Sequence, residues 1–298
     1  ILMATLYTQI DSNNRKTWLL IALFSLVVIS IGWAISYYYG NNVFLIFAIG
    51  LAIFQTFFSY WYSDKLIMAS FSAQPIEKKD NPELYRIVEN LAITAGLPMP
   101  KVFIINTPQI NAFATGRNAD NAAIAVTTGL LERLEKPELE GVISHELAHI
   151  GNKDILLQTI IVGLIGLISI IADMFFRGGF RNDRDDNRDN NPLAILSIIF
   201  IILSPLIGRL IQFSISRKRE FLADATGALL TRYPEGLASA LEKISQDKSE
   251  FKKASNGTEH LFIANPFKGK KFIGLFSTHP PIEERIAVLR GMDIHPIK

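Results

Sequence analysis

The sequence predicts a membrane protein of the α+β class, in which four apolar helices accompany a small β-sheet and a helix that carries a histidine pair. Three observations support this class. The 298 residues are 49% hydrophobic and only 19% charged, which is more apolar than most soluble proteins. Two long uncharged stretches precede three short strand-like segments. The run His-Glu-Leu-Ala-His then follows at 145–149.

Two apolar stretches near the start are predicted to cross the membrane as a tight hairpin. Thr17–Tyr39 and Val43–Tyr62 contain no charged residue, and each reaches the ~20 residues that a spanning helix needs. Tryptophan and tyrosine lie mostly near the ends of these stretches, as in the aromatic belt at a membrane surface. The lipid bilayer is therefore an expected partner.

Two later stretches, Ile155–Ala172 and Leu193–Phe213, are also predicted to span the membrane. The alternative for this pair is a long buried helical hairpin in a soluble domain. The loop between them, residues 177–192, is rich in Asp, Arg and Asn, and is predicted to be solvated and irregular.

The segments outside the apolar stretches carry the pattern of a compact α+β domain. Strands are predicted over residues 101–106, 111–116 and 122–128, the last two forming a hairpin. Proline suits the first turn of a helix, and prolines stand near several predicted helix starts. These helices are predicted over residues 82–95, from 137 through the histidine pair, and over 216–231, 234–245 and 280–290.

The run His145-Glu146-Leu147-Ala148-His149 matches the HExxH metal-binding pattern. Residues four apart on a helix point in nearly the same direction, so both imidazoles can bind one ion. Glu146 lies beside that face, where it can reach a water on the metal and accept its proton as general base. A small sheet beside such a helix predicts a zincin-like catalytic domain. The alternative is a pair of surface histidines on an ordinary amphipathic helix.

A catalytic zinc needs a third protein ligand and one open position. The chain has no cysteine and lacks the longer HExxHxxGxxH signature, so Glu220 is the best candidate for that ligand. Asp224, one helical turn later, suits a partner that hydrogen-bonds the distal nitrogen of a zinc-bound histidine. A solvated acid pair is the alternative for Glu220 and Asp224. Two predicted membrane crossings separate His149 from Glu220, which returns the chain to the same side.

The runs HELAH at 145–149 and EFLAD at 220–224 resemble the HtpX family of integral-membrane zinc metalloproteases, relatives of the CAAX prenyl endopeptidases. Further runs of the same resemblance lie at 110–116, 122–131, 277–281 and 284–286. The resemblance implies one zinc ion per chain on His145, His149 and Glu220, with Glu146 as catalytic base and Asp224 in support. It also implies a cytoplasm-facing site in a prokaryotic inner membrane that cleaves membrane or misfolded proteins during quality control.

Other residues receive expected roles beside this resemblance. Asn111, Ala112 and Phe113 resemble the edge strand that binds substrate backbone in such proteases, and pairing to an open sheet edge is a recurrent recognition mode. Local turn hydrogen bonds are the alternative for Asn111. His279 is a candidate donor to the tetrahedral oxyanion, or else a helix-capping or core histidine. Arg285 is expected to pair with an acid near the site, or to form a plain surface ion pair.

The charge pattern orients the chain. Basic residues flank the spans at 15–16, 65, 78–79 and 217–219, which places both termini and the catalytic domain in the cytoplasm. Only the arginines of the loop at 177–192 do not fit this orientation, because it places them on the side opposite the cytoplasm. In chain order, the sequence predicts a cytoplasmic N-terminus 1–16, a hairpin 17–63, a first catalytic part 64–154, a second hairpin 155–213 and a second catalytic part 214–298.

The sequence therefore predicts a zinc endopeptidase whose partners are protein or peptide substrates, chiefly membrane proteins. The net charge of +2 gives no reason to expect a nucleic-acid partner. A catalytically idle membrane scaffold is the alternative, against which the intact Glu146 argues. A transporter or channel would place ionisable residues inside several spans, yet the first two spans have none.

Overall fold

The computed structural model describes residues 2–165, 216–249, 258, 261–263 and 280–292. Its helices are α1 (Leu2–Tyr39), α2 (Val43–Ser70), α3 (Pro82–Ala95), α4 (Thr128–Arg133), α5 (Lys136–Gly151), α6 (Asp154–Ile165), α7 (Arg217–Thr231), α8 (Pro234–Gln246) and α9 (Ile282–Arg290). Its strands are β1 (Gln74–Pro75), β2 (Lys101–Ile105), β3 (Ala112–Gly116) and β4 (Ala122–Thr127).

The first two predicted spans are long helices that form a hairpin. Within the described residues, two helices are long and apolar enough to cross a membrane, Asp11–Tyr39 and Val43–Ser70. Only 28% and 22% of their most apolar windows are buried, so these helices present their apolar side chains outward, unlike the core helices of a soluble protein. Both helices continue past the apolar stretches, because a helix keeps its backbone hydrogen bonds when charged side chains replace apolar ones.

The later pair of predicted spans is described only in part. Helix α6 covers the beginning of the third stretch and is too short over the described residues to count as a spanning helix. It packs on α1 through an apolar cluster that contains Leu20, Phe24, Leu157 and Ile161. The rest of the third stretch, the loop at 177–192 and the fourth stretch lie outside the described residues, so four spans remain a prediction.

The four strands form one mixed sheet in the order β1-β2-β4-β3. Strands β2 and β4 are parallel, whereas β3 and β4 form the predicted antiparallel hairpin. The hairpin turn is tight at Gly116, whose φ of 138° favours glycine and whose added Cβ would meet the carbonyl oxygen of Asn121. Because β3 is last in the strand order, it lies at one edge of the sheet, and it packs against helix α5.

Helix α5 occupies the centre of the domain. It begins with a capping box, in which the Glu138 side chain accepts from the backbone N–H of Glu135 at 2.7 Å. Its apolar side chains Val142, Ile143 and Leu147 join a core with α3, one face of the sheet and α8. Helices α7 and α8 pack against α5, and α9 packs against α8 and α7. Side chains from α7, α8 and α9 therefore lie on the same side of α5.

Candidate metal centre

Helix α5 places the two histidines of the HExxH run side by side. The Nε2 atoms of His145 and His149 lie 3.1 Å apart, and the two rings stand at 90° to each other. Both side chains are buried, because α5 is packed between β3 and helices α7 and α8. At this distance the two Nε2 atoms either share a proton or bind one metal ion together.

Glu220 joins the histidines from helix α7. Its carboxylate oxygens lie 3.7 Å from Nε2 of His149 and 3.9 Å from Nε2 of His145. One ligand atom from each of the three residues lies within 4.8 Å of the others. Helix α7 approaches this closely because Gly227 faces α5, where an added Cβ would lie 3.0 Å from the backbone nitrogen of His145. The three predicted ligands therefore converge, although Glu220 is remote in sequence.

The donor set fits zinc. Zinc binds imidazole nitrogen and carboxylate oxygen at about 2.0–2.2 Å in a tetrahedron, which separates ligand atoms by roughly 3.3 Å. The donor–donor distances of 3.1, 3.7 and 3.9 Å bracket that spacing. Three protein ligands also leave a fourth position open, which is the arrangement of a catalytic rather than a structural zinc site.

Each histidine has a carboxylate at its other ring nitrogen. Oδ2 of Asp154 lies 2.9 Å from Nδ1 of His149, at hydrogen-bond distance. Oδ1 of Asp224 lies 2.9 Å from Nδ1 of His145, but at an angle that leaves the N–H off the hydrogen-bond line. A carboxylate only accepts, so Nδ1 of His149 carries the hydrogen in this pair, and the neutral ring would present its Nε2 lone pair to a metal.

Arg285 holds Asp224 in place. Nε of Arg285 donates to Oδ2 of Asp224 at 2.8 Å, and Nη2 donates to Oδ1 at 2.7 Å. Arg285 is fully buried, so this bidentate pair is an internal one and not the surface pair that was the alternative. Burial raises the pKa of Asp224, but the adjacent guanidinium outweighs burial and lowers this pKa to about 2. Nη1 of Arg285 also lies 4.0 Å from Glu220, which ties the third ligand to the same cation.

Glu146 lies next to the ligand set in a dry environment. Its side chain is 2% exposed and lies near the backbone N–H of Ala114 in β3, which favours the charged carboxylate. Burial raises the pKa of Glu146 to about 7; His149 opposes this rise and Glu220 adds to it. A carboxyl group with a pKa near neutrality can both accept and return a proton at physiological pH.

The surroundings shift the pKa values of the two histidines in opposite directions. Burial lowers the pKa of His145 to about 4. Burial also disfavours the charged form of His149, but Asp154, Glu220 and Glu146 outweigh it and raise the pKa of His149 to about 9. The carboxylates around His149 therefore favour a positive charge on its ring. A metal ion would compete with the proton for Nε2 of His149.

Comparison with known proteins identifies the family. The model of peptidase family M48 matches residues 78–293. The chain belongs to peptidase family M48. A Protease HtpX homolog of Dictyoglomus thermophilum is 43% identical over 289 residues, covering 97% of this chain and 95% of the relative. A Protease HtpX homolog of Thermococcus sibiricus is 48% identical over 263 residues, covering 86% and 89%. The predicted HtpX resemblance is confirmed, and the chain is a metalloprotease.

The fold of this chain is also similar to that of a solved structure. The crystal structure of S. mikatae Ste24p aligns with a TM-score of 0.53 at 20% identity, covering 96% of this chain and 67% of that chain. At this identity the likeness concerns the fold alone. It supports the predicted membrane-protease architecture of helices around a small mixed sheet.

The substrate strand predicted for this M48 protease lies beside the metal centre, but its outer edge is paired within the chain. The carbonyl oxygen of Ala112 accepts from the backbone N–H of Ile263 at 3.1 Å, and the Ala112 N–H donates to Oδ1 of Asn111 at 3.1 Å. The Phe113 ring packs against Phe71 and Phe262, with centroids 5.5 and 5.3 Å apart. A local hydrogen bond of Asn111 is therefore present.

Sequence reasoning placed His279 in the site and missed Asp154. His279 lies outside the described residues, so its oxyanion role stays a prediction. Asp154 has no motif of its own, because it follows the HExxH helix after a short turn and begins helix α6, so helical spacing within α5 does not place it beside His149. An acidic residue a few positions beyond the second histidine was the only available indication.

Proposed function

We propose that this M48 protease is a zinc-dependent endopeptidase that acts at the cytoplasmic face of a cell membrane and cleaves membrane or misfolded proteins. The observation that carries the proposal is the convergence of His145, His149 and Glu220 beside the buried carboxyl group of Glu146. A bound zinc ion would polarise the scissile carbonyl and lower the pKa of water to near 7.

The side chains of the site divide the work of peptide hydrolysis. His145, His149 and Glu220 would hold the ion, while Asp154 would keep the ring hydrogen of His149 on Nδ1, away from it. Asp224 lies at the same ring nitrogen of His145. Glu146 would take the proton of the attacking water and return it to the leaving amine. Burial raises the pKa of Glu146 above that of an exposed carboxyl group, which favours its holding the proton before the return.

The membrane hairpin supports the proposed orientation. Trp18 stacks on Tyr60 at 6.3 Å, and Arg117 covers the Trp61 ring at 3.9 Å, so one aromatic belt lies at the catalytic domain. Tyr38 near the other end of α1 is twenty residues from Trp18, which corresponds to about 30 Å of helix and to the thickness of a hydrocarbon core. Basic residues lie at the domain end of both helices, which favours a cytoplasmic domain.

Substrate binding is proposed at the edge of β3. This strand has a ladder partner on one side only among the described strands, and its Ala114 N–H contacts the proposed base. An extended peptide that pairs with Ala112 would take the place of Ile263 at the carbonyl oxygen. Asn111, Ala112 and Phe113 would then place the scissile bond beside Glu146.

The test is a comparison of two isosteric variants on the same helix. Glu146→Gln removes the proposed base, whereas Glu140→Gln changes a half-exposed acid that lies 4.0 Å from Lys136. We expect both purified proteins to retain one zinc ion per chain, measured by atomic absorption. Cleavage of a membrane-protein substrate should fall by about 10²–10⁴-fold in Glu146→Gln only. Equal cleavage by the two variants would refute the mechanism.

A further inference from the structure

A buried polar cluster connects the start of helix α1 to the metal centre. Nδ2 of Asn13 donates to Oδ1 of Asp154 at 2.6 Å and to the carbonyl oxygen of Asn152 at 3.5 Å. Oδ1 of Asn13 accepts from Nη1 of Arg219 at 3.3 Å. Asn13, Asp154 and Arg219 are each at most 3% exposed. A polar cluster this deeply buried is costly unless its members are paired, which these are.

The cluster joins the two chain segments that carry the ligands. Asp154 hydrogen-bonds the ring of His149, and Arg219 directly precedes Glu220 on α7. The amide of Asn13 contacts both Asp154 and Arg219 through its two ends, as donor and as acceptor. No other described side chain of α1 makes a hydrogen bond to either of these residues.

We propose that Asn13 is a positioning residue for the metal centre, which acts by holding Asp154 in the orientation that directs the Nε2 lone pair of His149 at the metal. The donor hydrogens of Asn13 engage Oδ1 of Asp154, which leaves Oδ2 for Nδ1 of His149. The helix that begins the membrane hairpin thereby contributes to the site. This inference rests on the zinc site proposed above.

A merely structural tie is the competing explanation for Asn13. A structural tie would stabilise the packing of α1 on the domain and leave the metal affinity of the folded protein unchanged. A positioning role predicts that the affinity changes, and that restoring the hydrogen-bond polarity between positions 13 and 154 restores it. These outcomes separate the two explanations.

The experiment uses the full chain purified in detergent, with zinc affinity measured by competition against a chelator. Asn13→Asp sets a second carboxylate against Asp154, and Asn14→Asp is the matched control, because Asn14 makes no side-chain hydrogen bond with the described residues. We expect zinc affinity to fall about tenfold in Asn13→Asp, as on loss of other outer partners. The control should stay at the wild-type value. The visible absorption of the Co²⁺-substituted protein should shift in Asn13→Asp only.

The exchange variant Asn13→Asp with Asp154→Asn is the rescue. An amide at position 154 would donate to a carboxylate at position 13 and keep its oxygen for Nδ1 of His149, so zinc affinity should return to within a few-fold of wild type. Where Asn13→Asp does not fold, Asn13→Ala removes the same donor hydrogens without adding charge and carries the same expectation. Thermal unfolding of the metal-free proteins reports any separate loss of stability.

The possible outcomes are distinct. Equal zinc affinity in the Asn13 and Asn14 variants, or no recovery in a folded exchange variant, would overturn the positioning role even if unfolding temperatures differ. A wild-type protein that binds no zinc would refute the proposed metal site itself.

Discussion

Replacing Asp154 with asparagine is expected to weaken zinc binding by reversing the ring hydrogen of His149. Asn13 donates to the Oδ1 position at 2.6 Å, so a new amide must present its oxygen there and its NH₂ group to the histidine. Nδ1 of His149 would then have to accept, which moves the ring hydrogen to Nε2. An Nε2 atom that carries hydrogen has no lone pair for a metal.

The magnitude follows from the outer position of Asp154. Loss of a carboxylate that orients a ligating histidine costs about 10–100-fold in metal affinity, which corresponds to about 1.4–2.7 kcal/mol. The amide has nearly the same volume as the carboxylate and keeps the contact with Asn13, so the variant should still fold. Chelator competition on the wild type and the variant measures the difference directly.

A matched control separates this effect from the general loss of a buried acid. Asp247 is 6% exposed and pairs with Arg133 and with the backbone N–H of Ile110, each at 2.8 Å. Asp247→Asn should lower stability and leave zinc affinity unchanged. An affinity of Asp154→Asn within twofold of the wild type would refute the tautomer argument.

Two further predictions concern the third ligand and pH. Glu220→Ala removes one of three protein ligands and should lower zinc affinity on the order of 100-fold or more, whereas Glu235→Ala, in a surface pair with Arg290, should not; unchanged zinc content would remove Glu220 from the ligand set. Burial opposes ionisation of Asp247, but the Ile110 backbone N–H and other donors lower its pKa to about 2. A depressed pKa adds stability above about pH 4 that is lost as pH falls toward 2, about 2 kcal/mol in all. Between about pH 2 and 4, the free energy of unfolding of Asp247→Asn, measured with urea, should change less with pH than that of the wild type. An unchanged pH dependence would contradict the assignment.

The parts of the fold that depend on local spacing could be predicted from the sequence. His145 and His149 face one way because any helix places residues four apart on one side. The hairpin of β3 and β4 follows from two short β-prone runs around a turn. Helix α3 is capped at its start by Asn81, whose side chain accepts from the backbone N–H of Leu84, and at its end by Gly96 with a φ of 66°.

The parts that depend on tertiary packing could not be predicted in this way. The contact between Asn13 and Asp154 exists because α6 packs alongside α1, and no local pattern specifies that packing. The pairing of Ile263 with the edge of β3 likewise joins residues remote in sequence. Strand β1 is only two residues long and follows from its partner β2 rather than from its own composition.

The packing of α1 on α6 supports the proposed contribution of the membrane hairpin to the metal centre. Leu20 and Phe24 bury against Leu157 and Ile161 two turns along from the polar cluster, so apolar burial supplies the free energy that holds Asn13 against Asp154. A fragment that began after the hairpin would keep all three ligands, yet it would expose this apolar face of α6. It would also leave Oδ1 of Asp154 without the donor from Asn13. Under the proposed positioning role, the metal centre would depend on the domain and the first apolar helix together.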